Sequence, residues 1–332
     1  MIKSKLMRVI SFSKFGSPNV LEMTSRQIPK LSPNEILLKV IVAGVNRPDL
    51  LQREGKYLPP NDASDILGLE ASGEVISKGT NVSKWSVGDK LTALLHGGGY
   101  ADYVKVHEDH CLPIPKGLSV IEAAGLCENY FTVWANIFSK KIIKKNHNLL
   151  IHGGSSGIGI AAIQLAKNFG ANVFTTVGNE KKKNFCKNLG AEIVINYNEE
   201  DFFKILKPIS KERGLNIVLD MVGGSYINKN ISLLSHDGYL IFIAFLQGSK
   251  VETDFVKIML KRLLITGSTL RSRSVEFKAQ IAREVKENVW PLLEQKSIIP
   301  VVDKIFNFNE VIEAHRYMES SQHIGKILIN ID

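Results

Sequence analysis

The sequence is poor in cysteine and has no long apolar run. Its 332 residues include 3 cysteines. Cys111, Cys127 and Cys186 are too widely spaced for a disulfide framework or a zinc knuckle. The longest dense apolar stretch, residues 239–246, is far shorter than the roughly 20 residues of a membrane-spanning helix. No apolar segment of signal-peptide length follows the N-terminal lysines. We therefore expect a cytoplasmic protein with reduced thiols and no membrane span.

Bulk composition is ordinary except for charge. Hydrophobic residues make up 44% and charged residues 23% of the chain, which excludes disordered and collagen-like classes. The 42 Lys and Arg residues exceed the 33 Asp and Glu residues, so the net charge is +9, which favours anionic partners. The basic residues form short clusters without an Arg/Gly-rich tail. We interpret them as solvated helix faces and expect no nucleic-acid partner.

The pattern of apolar residues changes along the chain. Strand-like runs such as residues 8–12 and 35–42 alternate with Gly and Pro turns at first, which predicts a β-rich, barrel-like domain. From about residue 148, short apolar runs alternate with helical spacing, as in a strand at 173–177 and a helix at 180–189. This alternation predicts a doubly wound parallel sheet.

The C-terminal segment is too short to be a domain by itself. A long helical stretch at 275–294 precedes a last strand at 325–330, and we expect this segment to return to the N-terminal domain. The predicted domains are therefore residues 1–125 with 271–332, and residues 126–270.

The strongest motif lies between a predicted strand and a predicted helix. Residues 152–159 read His-Gly-Gly-Ser-Ser-Gly-Ile-Gly. Glycines allow a tight turn close to a pyrophosphate, whose charge is stabilised by N–H groups at a helix N-terminus. The spacing differs from G-x-G-x-x-G, and such a turn is sometimes only structural. The βαβ pattern on both sides favours dinucleotide binding.

The end of the next predicted strand indicates which dinucleotide is bound. NAD sites place Asp or Glu there, to bind the ribose 2′-hydroxyl. Here Gly178 and Asn179 are followed by Glu180 and by three lysines, residues 181–183. Ammonium groups stabilise a 2′-phosphate and a carboxylate repels it. We therefore predict NADPH as the cofactor. The alternative, which Glu180 favours, is that the lysines only begin a solvated helix.

Ordered motifs along nearly the whole chain carry a family resemblance. They are residues 44–57, which contain Asn-Arg-Pro-Asp, and residues 68–73, 87–89, 98–103, 152–159 and 220–224. Together they resemble the zinc-free quinone oxidoreductases of the medium-chain dehydrogenase/reductase superfamily. Residues 223–226, 270–273 and 313–318 look most like its p53-inducible branch. The resemblance implies a GroES-like β-rich domain, a Rossmann domain, and NADPH in a cleft between them.

The resemblance also implies site residues. Asn46 and Tyr57 would face the nicotinamide as the catalytic residues. The other implied cofactor contacts are Asn129 and Thr132 at the domain crossing; Gly154, Ser155, Ser156, Gly157 and Ile158 at the pyrophosphate; Gly178, Asn179, Lys182 and Tyr197 around the 2′-phosphate; and Phe245, Leu246, Leu270 and Arg271 along the cleft. As alternatives, Asn46 could cap a turn, Tyr57 could be a loop aromatic, and Tyr197 could pack at a strand end.

Two positions depart from related patterns. Asn46 and Leu69 stand where related alcohol dehydrogenases place metal ligands, so we expect no metal. Cys127 replaces a proline that relatives usually have, which would put a thiol near the cleft. We read Asp220 and His152 as structural residues rather than as catalytic ones.

The implied function is NADPH-dependent quinone oxidoreductase, with hydride passing from NADPH to a quinone in the cleft. One alternative is an NADPH-dependent reductase of α,β-unsaturated carbonyls. The other, which we favour less, is a non-enzymatic NADPH- and RNA-binding protein. Residues 261–268 predict a late strand of the parallel sheet, whose edge would pair with a second copy in a homodimer.

Overall fold

The computed structural model describes residues 6–332 and contains two compact units. One unit comprises the residues up to Phe131 together with Arg271–Asp332, and the other is Thr132–Leu270. The division falls at Phe131, whereas the sequence pattern places it at residue 125.

Strands and helices alternate throughout the described residues. The strands are β1 (Leu6–Ser11), β2 (Glu22–Gln27), β3 (Glu35–Val45), β4 (Glu70–Lys78), β5 (Lys90–Leu94), β6 (Tyr103–His107), β7 (Cys111–Pro113), β8 (Asn148–His152), β9 (Asn172–Val177), β10 (Ile193–Asn196), β11 (Ile217–Asp220), β12 (Tyr239–Phe242), β13 (Leu264–Gly267), β14 (Val302–Asn307) and β15 (Lys326–Asn330). The α-helices are α1 (Arg47–Arg53), α2 (Val120–Ala123), α3 (Cys127–Val133), α4 (Gly157–Asn168), α5 (Glu180–Leu189), α6 (Phe202–Arg213), α7 (Tyr226–Leu233), α8 (Val256–Lys261), α9 (Val275–Asn288), α10 (Trp290–Glu294) and α11 (Val311–Glu319). Within residues 6–332, no helix is both long enough and apolar enough to span a membrane.

The first unit is built on a seven-stranded sheet. Its order is β14-β15-β3-β4-β5-β7, with β6 paired to β3, while β1 and β2 form a separate antiparallel ladder. The C-terminal strand β15 pairs with β3 and β14. The segment after residue 271 therefore completes this sheet, as the sequence predicts. Apolar side chains such as Val9, Leu38 and Ile329 fill the core beneath it.

The second unit contains a parallel sheet of six strands in the order β10-β9-β8-β11-β12-β13. Numbered along the chain, this order is 3-2-1-4-5-6, the order of a Rossmann fold. The strand order reverses between β8 and β11, and ligands of such folds bind outside the carboxyl ends of the strands at this switch point. Buried Leu150, Phe174, Val218 and Leu240 form the core of this unit.

The helix predicted at 275–294 is interrupted. The structure ends α9 at Asn288 and begins α10 at Trp290, with Pro291 in the first turn of α10. Proline lacks a backbone N–H and restricts the residue before it, so it suits the start of a helix and not its interior. By contrast, α5 has the predicted bounds and ends at Gly190, which has a φ of 111°.

Candidate functional site

A glycine-rich turn connects β8 to α4 at the switch point of the parallel sheet. The carbonyl of Thr176 accepts the N–H groups of both Gly153 and Gly154, at 3.1 Å each. A Cβ at Gly154 would lie 2.2 Å from the Oγ1 of Thr175, and a Cβ at Gly159 would lie 2.3 Å from the carbonyl oxygen of Gly153. Glycine is therefore required at both positions, and the turn is fixed against the neighbouring strand.

The same turn presents the N-terminus of α4. Ser156 is the N-cap, and its Oγ accepts the N–H of Gly159 at 3.0 Å. The N–H groups of Gly157 and Ile158, in the first turn, have no acceptor within the helix. With the helix dipole, they favour binding of an anion such as a pyrophosphate. The predicted residues 154–158 thus lie together in a form that fits a dinucleotide.

A chain of buried polar groups lies beneath this turn. Thr176 Oγ1 is 3.0 Å from His152 Nδ1, His152 Nε2 is 2.9 Å from Asn230 Oδ1, and Asn230 Nδ2 donates to Asp220 Oδ2 at 3.0 Å. The other oxygen of Asp220 accepts two backbone N–H groups of the loop after β11. Burial lowers the pKa of His152, so its ring is neutral at pH 7. Both His152 and Asp220 therefore organise loops, as the sequence suggests.

The predicted 2′-phosphate residues lie together at the ends of β9 and β10. A Cβ at Gly178 would be 2.7 Å from the Tyr197 hydroxyl, so that ring covers the glycine. Asn179 is the N-cap of α5, and its side chain accepts the backbone N–H of Lys182 at 2.9 Å. Tyr197 is 47% exposed, whereas Lys182 is 8% exposed. The side chain of Lys182 is therefore largely covered by its neighbours.

The carboxylate of Glu180 is not isolated. The ammonium of Lys183 lies 3.5 Å from Glu180 and 2.7 Å from Glu200. Lys183 is therefore engaged in ion pairs, and it partly neutralises the negative charge nearest to Gly178.

Phe245 and Leu246 follow β12 at the carboxyl edge of the sheet. The N–H of Leu246 donates to the carbonyl of Met221 at 3.1 Å, and the ring of Phe245 lies 4.9 Å from that of Phe242. These contacts join the loop after β12 to the loop after β11. Both side chains remain about half exposed.

In the first unit, Arg271 holds three separate segments together. Its guanidinium donates to the side chain of Gln52 at 2.7 Å and to the carbonyls of Ser64 and His96 at 3.2 Å each. Arg271 is 6% exposed. Its guanidinium is therefore mainly used to fix the loop around Ser64.

Tyr57 and Glu128 of the first unit are electrostatically linked. Tyr57 is partly exposed, and within residues 6–332 its hydroxyl has no hydrogen-bond partner. Burial and the Glu128 charge raise the pKa of Tyr57, so the hydroxyl keeps its proton. Burial and the Glu70 carboxylate raise the pKa of Glu128 to about 8. The sequence offered Glu128 only as part of a motif.

Asn46 lies at the junction of β3 and α1 and is 6% exposed. Its backbone N–H donates to Asp49 Oδ2 at 2.8 Å, which is the capping role that the alternative interpretation gives it. Its side-chain amide binds Lys326 at 2.7 Å and Glu70 at 3.0 Å. Sequence reasoning missed both charged partners, because Lys326 is 280 residues away along the chain.

Four other residues have local contacts. Asn129 donates from its amide to the carbonyl of Gly125 at 3.0 Å. The carbonyl of Thr132 accepts the amide of Asn136 at 2.8 Å, and Leu270 is 9% exposed. The expectation that Cys127 presents a thiol is wrong. Its side chain is fully buried against Thr92, and burial raises the thiol pKa, which makes it unreactive.

Comparisons with known proteins agree with this architecture. Residues 32–116 match the family model of the alcohol dehydrogenase GroES-like domain, and residues 157–287 match that of zinc-binding dehydrogenase. A quinone oxidoreductase of Sus scrofa is 30% identical over 330 residues, which cover 98% of each chain. That of Homo sapiens is 29% identical over 335 residues, again 98% of each chain. The crystal structure of Escherichia coli quinone oxidoreductase complexed with NADPH has a TM-score of 0.89 and 26% identity, covering 98% of this chain and 100% of that chain.

The fold and these matches define a medium-chain dehydrogenase/reductase, with a GroES-like domain and a Rossmann domain. The chain belongs to the quinone oxidoreductase family of that superfamily. It is thus an oxidoreductase that acts on a small molecule with a nicotinamide cofactor. Its place in the p53-inducible branch stays a prediction.

One matched family model is described as zinc-binding, but the residues do not fit a zinc site. Leu69 has no ligand atom, and the Asn46 amide and the Glu70 carboxylate are bound by the Lys326 ammonium. Among residues 6–332, no three His, Cys, Asp or Glu side chains are grouped to hold a metal ion.

Proposed function

We propose that the protein is an NADPH-dependent quinone oxidoreductase, which transfers hydride from NADPH to a quinone. The nearly full-length relationship to quinone oxidoreductases carries this proposal. It is supported by the preformed turn at residues 154–158, with its free N–H groups at the switch point. In this proposal, the Rossmann unit is the NADP-binding domain and the GroES-like unit is the substrate domain.

Residues of this chain would orient the reactants. NADPH, when bound, supplies the hydride, and a quinone that accepts it forms an oxyanion that solvent can protonate. The turn at residues 154–158 would hold the pyrophosphate by its N–H groups. Tyr57 keeps a protonated hydroxyl with no internal partner, so it is free to donate to the reactants. Asn46 would act beside it through its fixed amide.

Several features support NADPH over NADH. The end of β9 offers Gly178 and Asn179 rather than a carboxylate. Tyr197 places a half-exposed hydroxyl over Gly178, and Lys182 adds positive charge in the first turn of α5. The ion pair of Glu180 with Lys183 reduces the repulsion that Glu180 would exert on a 2′-phosphate.

We also propose a homodimer in the cytoplasm. Strand β13 is the edge of the parallel sheet, and Leu264 and Ile265 on it are about half exposed. Pairing with a second copy would cover this apolar edge. The three cysteines are free and buried, which suits a reducing compartment.

A turnover screen of quinones and enones with NADPH tests the proposed function. We expect quinones to be the better acceptors, and a clear preference for enones would favour the alternative reductase. Tyr57→Phe should lower kcat/KM about 10-fold, while its melting temperature stays near wild type. Tyr103→Phe, at another partly exposed tyrosine of the same unit, is the matched control. Equal activity of the two variants would contradict the role given to Tyr57.

A further inference from the structure

Lys326 is a buried lysine that no sequence motif marks. It begins β15, and its side chain is 7% exposed. Its ammonium is 2.6 Å from Glu70 Oε1, 2.7 Å from Asn46 Oδ1 and 3.1 Å from the carbonyl oxygen of Val45. An ammonium has three donors, so all of them are satisfied, and a fully buried carboxylate balances its charge.

This arrangement allows one orientation of the Asn46 amide. Oδ1 accepts from Lys326, and Nδ2 donates to Glu70 at 3.0 Å. An ammonium can only donate and a carboxylate can only accept. Rotation of the amide by half a turn would therefore set like groups against each other at both ends. The hydrogen-bonding capacity that remains on Oδ1 is that of an acceptor.

The space for the pair is built into the backbone. A Cβ at Gly44 would lie 2.3 Å from Glu70 Oε1, and a Cβ at Gly125 would lie 2.8 Å from Cγ of Lys326. The second oxygen of Glu70 accepts the backbone N–H of Glu128, at 2.9 Å, in the first turn of α3. The pair thus connects β4, β15, α3 and the junction of β3 with α1.

We propose that Lys326 is a positioning residue for hydride transfer: its buried ammonium, paired with Glu70, locks the Asn46 amide in the orientation that the reaction uses. This inference rests on the proposed function, since it gives Asn46 a place beside the reacting groups. Lys326 acts through Asn46 and need not touch either reactant.

The test separates positioning from stability. Lys326→Met leaves the Glu70 carboxylate buried without a partner, which destabilises the fold. Lys326→Met combined with Glu70→Gln removes both charges and should restore the melting temperature to within about 3 °C of wild type, because no uncompensated charge remains. The amide of Asn46 is then free to turn, so kcat should stay at least about 10-fold low, with little change in the Kd of NADPH. Lys105→Met, at an exposed lysine paired with Glu35, is the control and should leave kcat unchanged.

Chemical rescue gives a second measurement. Lys326→Ala leaves space for a small cation, so propylammonium should raise its kcat far more than an equal concentration of propanol does. Equal effects of the two compounds would overturn the proposal, and so would a double variant with wild-type kcat. The two claims fail separately, because a wild type that reduces neither quinones nor enones contradicts the proposed function. An active wild type with an equally active double variant contradicts the role of Lys326.

Discussion

The polar chain beneath the glycine-rich turn predicts a large effect of Asn230→Leu. Leucine has nearly the shape of asparagine, so the substitution leaves little cavity. It removes the acceptor of the His152 Nε2 proton and the donor to Asp220 Oδ2, and both partners are fully buried. Because α7 carries Asn230 on the far side of both strands, the loss reaches the turn only through these two hydrogen bonds.

The magnitude follows from what is left unpaired. A buried neutral donor without a partner costs about 1–3 kcal/mol, and a charged acceptor costs more. Asp220 keeps two backbone donors, which limits its share. We expect a loss of about 3–5 kcal/mol and a fall in melting temperature of about 6–20 °C.

Thermal unfolding of Asn230→Leu beside Asn228→Leu measures this effect. Asn228 lies on the same helix, but its amide donates to the carbonyl of Glu252 at the exposed surface. Its replacement should cost less than about 1 kcal/mol. Similar melting temperatures for the two variants would refute the importance given to the chain.

Three further predictions concern the cofactor, pH and assembly. Lys182→Ala should weaken NADPH binding about 10- to 100-fold and leave NADH nearly unchanged, and equal losses in the two dissociation constants would show that Lys182 does not bind the 2′-phosphate. Burial and Arg53 lower the pKa of His315 from 6.5 to about 3, so acid protonates it only in the unfolded chain. Its share of the free energy of unfolding should therefore fall by about 2 kcal/mol between pH 7 and pH 5. His315→Gln should flatten this slope in denaturant titrations, and exposed His236→Gln should not. Light scattering should show two chains per particle for wild type and one for Ile265→Lys at the β13 edge, and a wild-type mass of one chain would remove the dimer.

Local patterns predict the parts of the fold that depend on near neighbours. The alternation of strands and helices after residue 148 predicts the parallel sheet, and Gly190 correctly ends α5. The glycine-rich turn is predictable for the same reason, since its residues are contiguous. Pro291 marks the break between α9 and α10, but the apolar spacing continues through it and hides the interruption.

The part of the site that the sequence does not reveal depends on long-range pairs. Nothing near Lys326 indicates that its ammonium meets Glu70 and Asn46, because the three residues come from separate strands of one sheet. The same holds for Arg271, whose partner Gln52 is 219 residues away. Cys127 is adjacent to a motif, yet its side chain turns into the core. Which way a side chain points follows from tertiary packing rather than from position in a motif.

The most direct test of the central claim is steady-state oxidation of NADPH by the purified protein with 1,2-naphthoquinone, run in parallel with NADH. The account predicts oxidation that depends on the quinone, with kcat/KM for NADPH at least about 10-fold above that for NADH. Absence of quinone-dependent oxidation with either cofactor, or a preference for NADH, would contradict it.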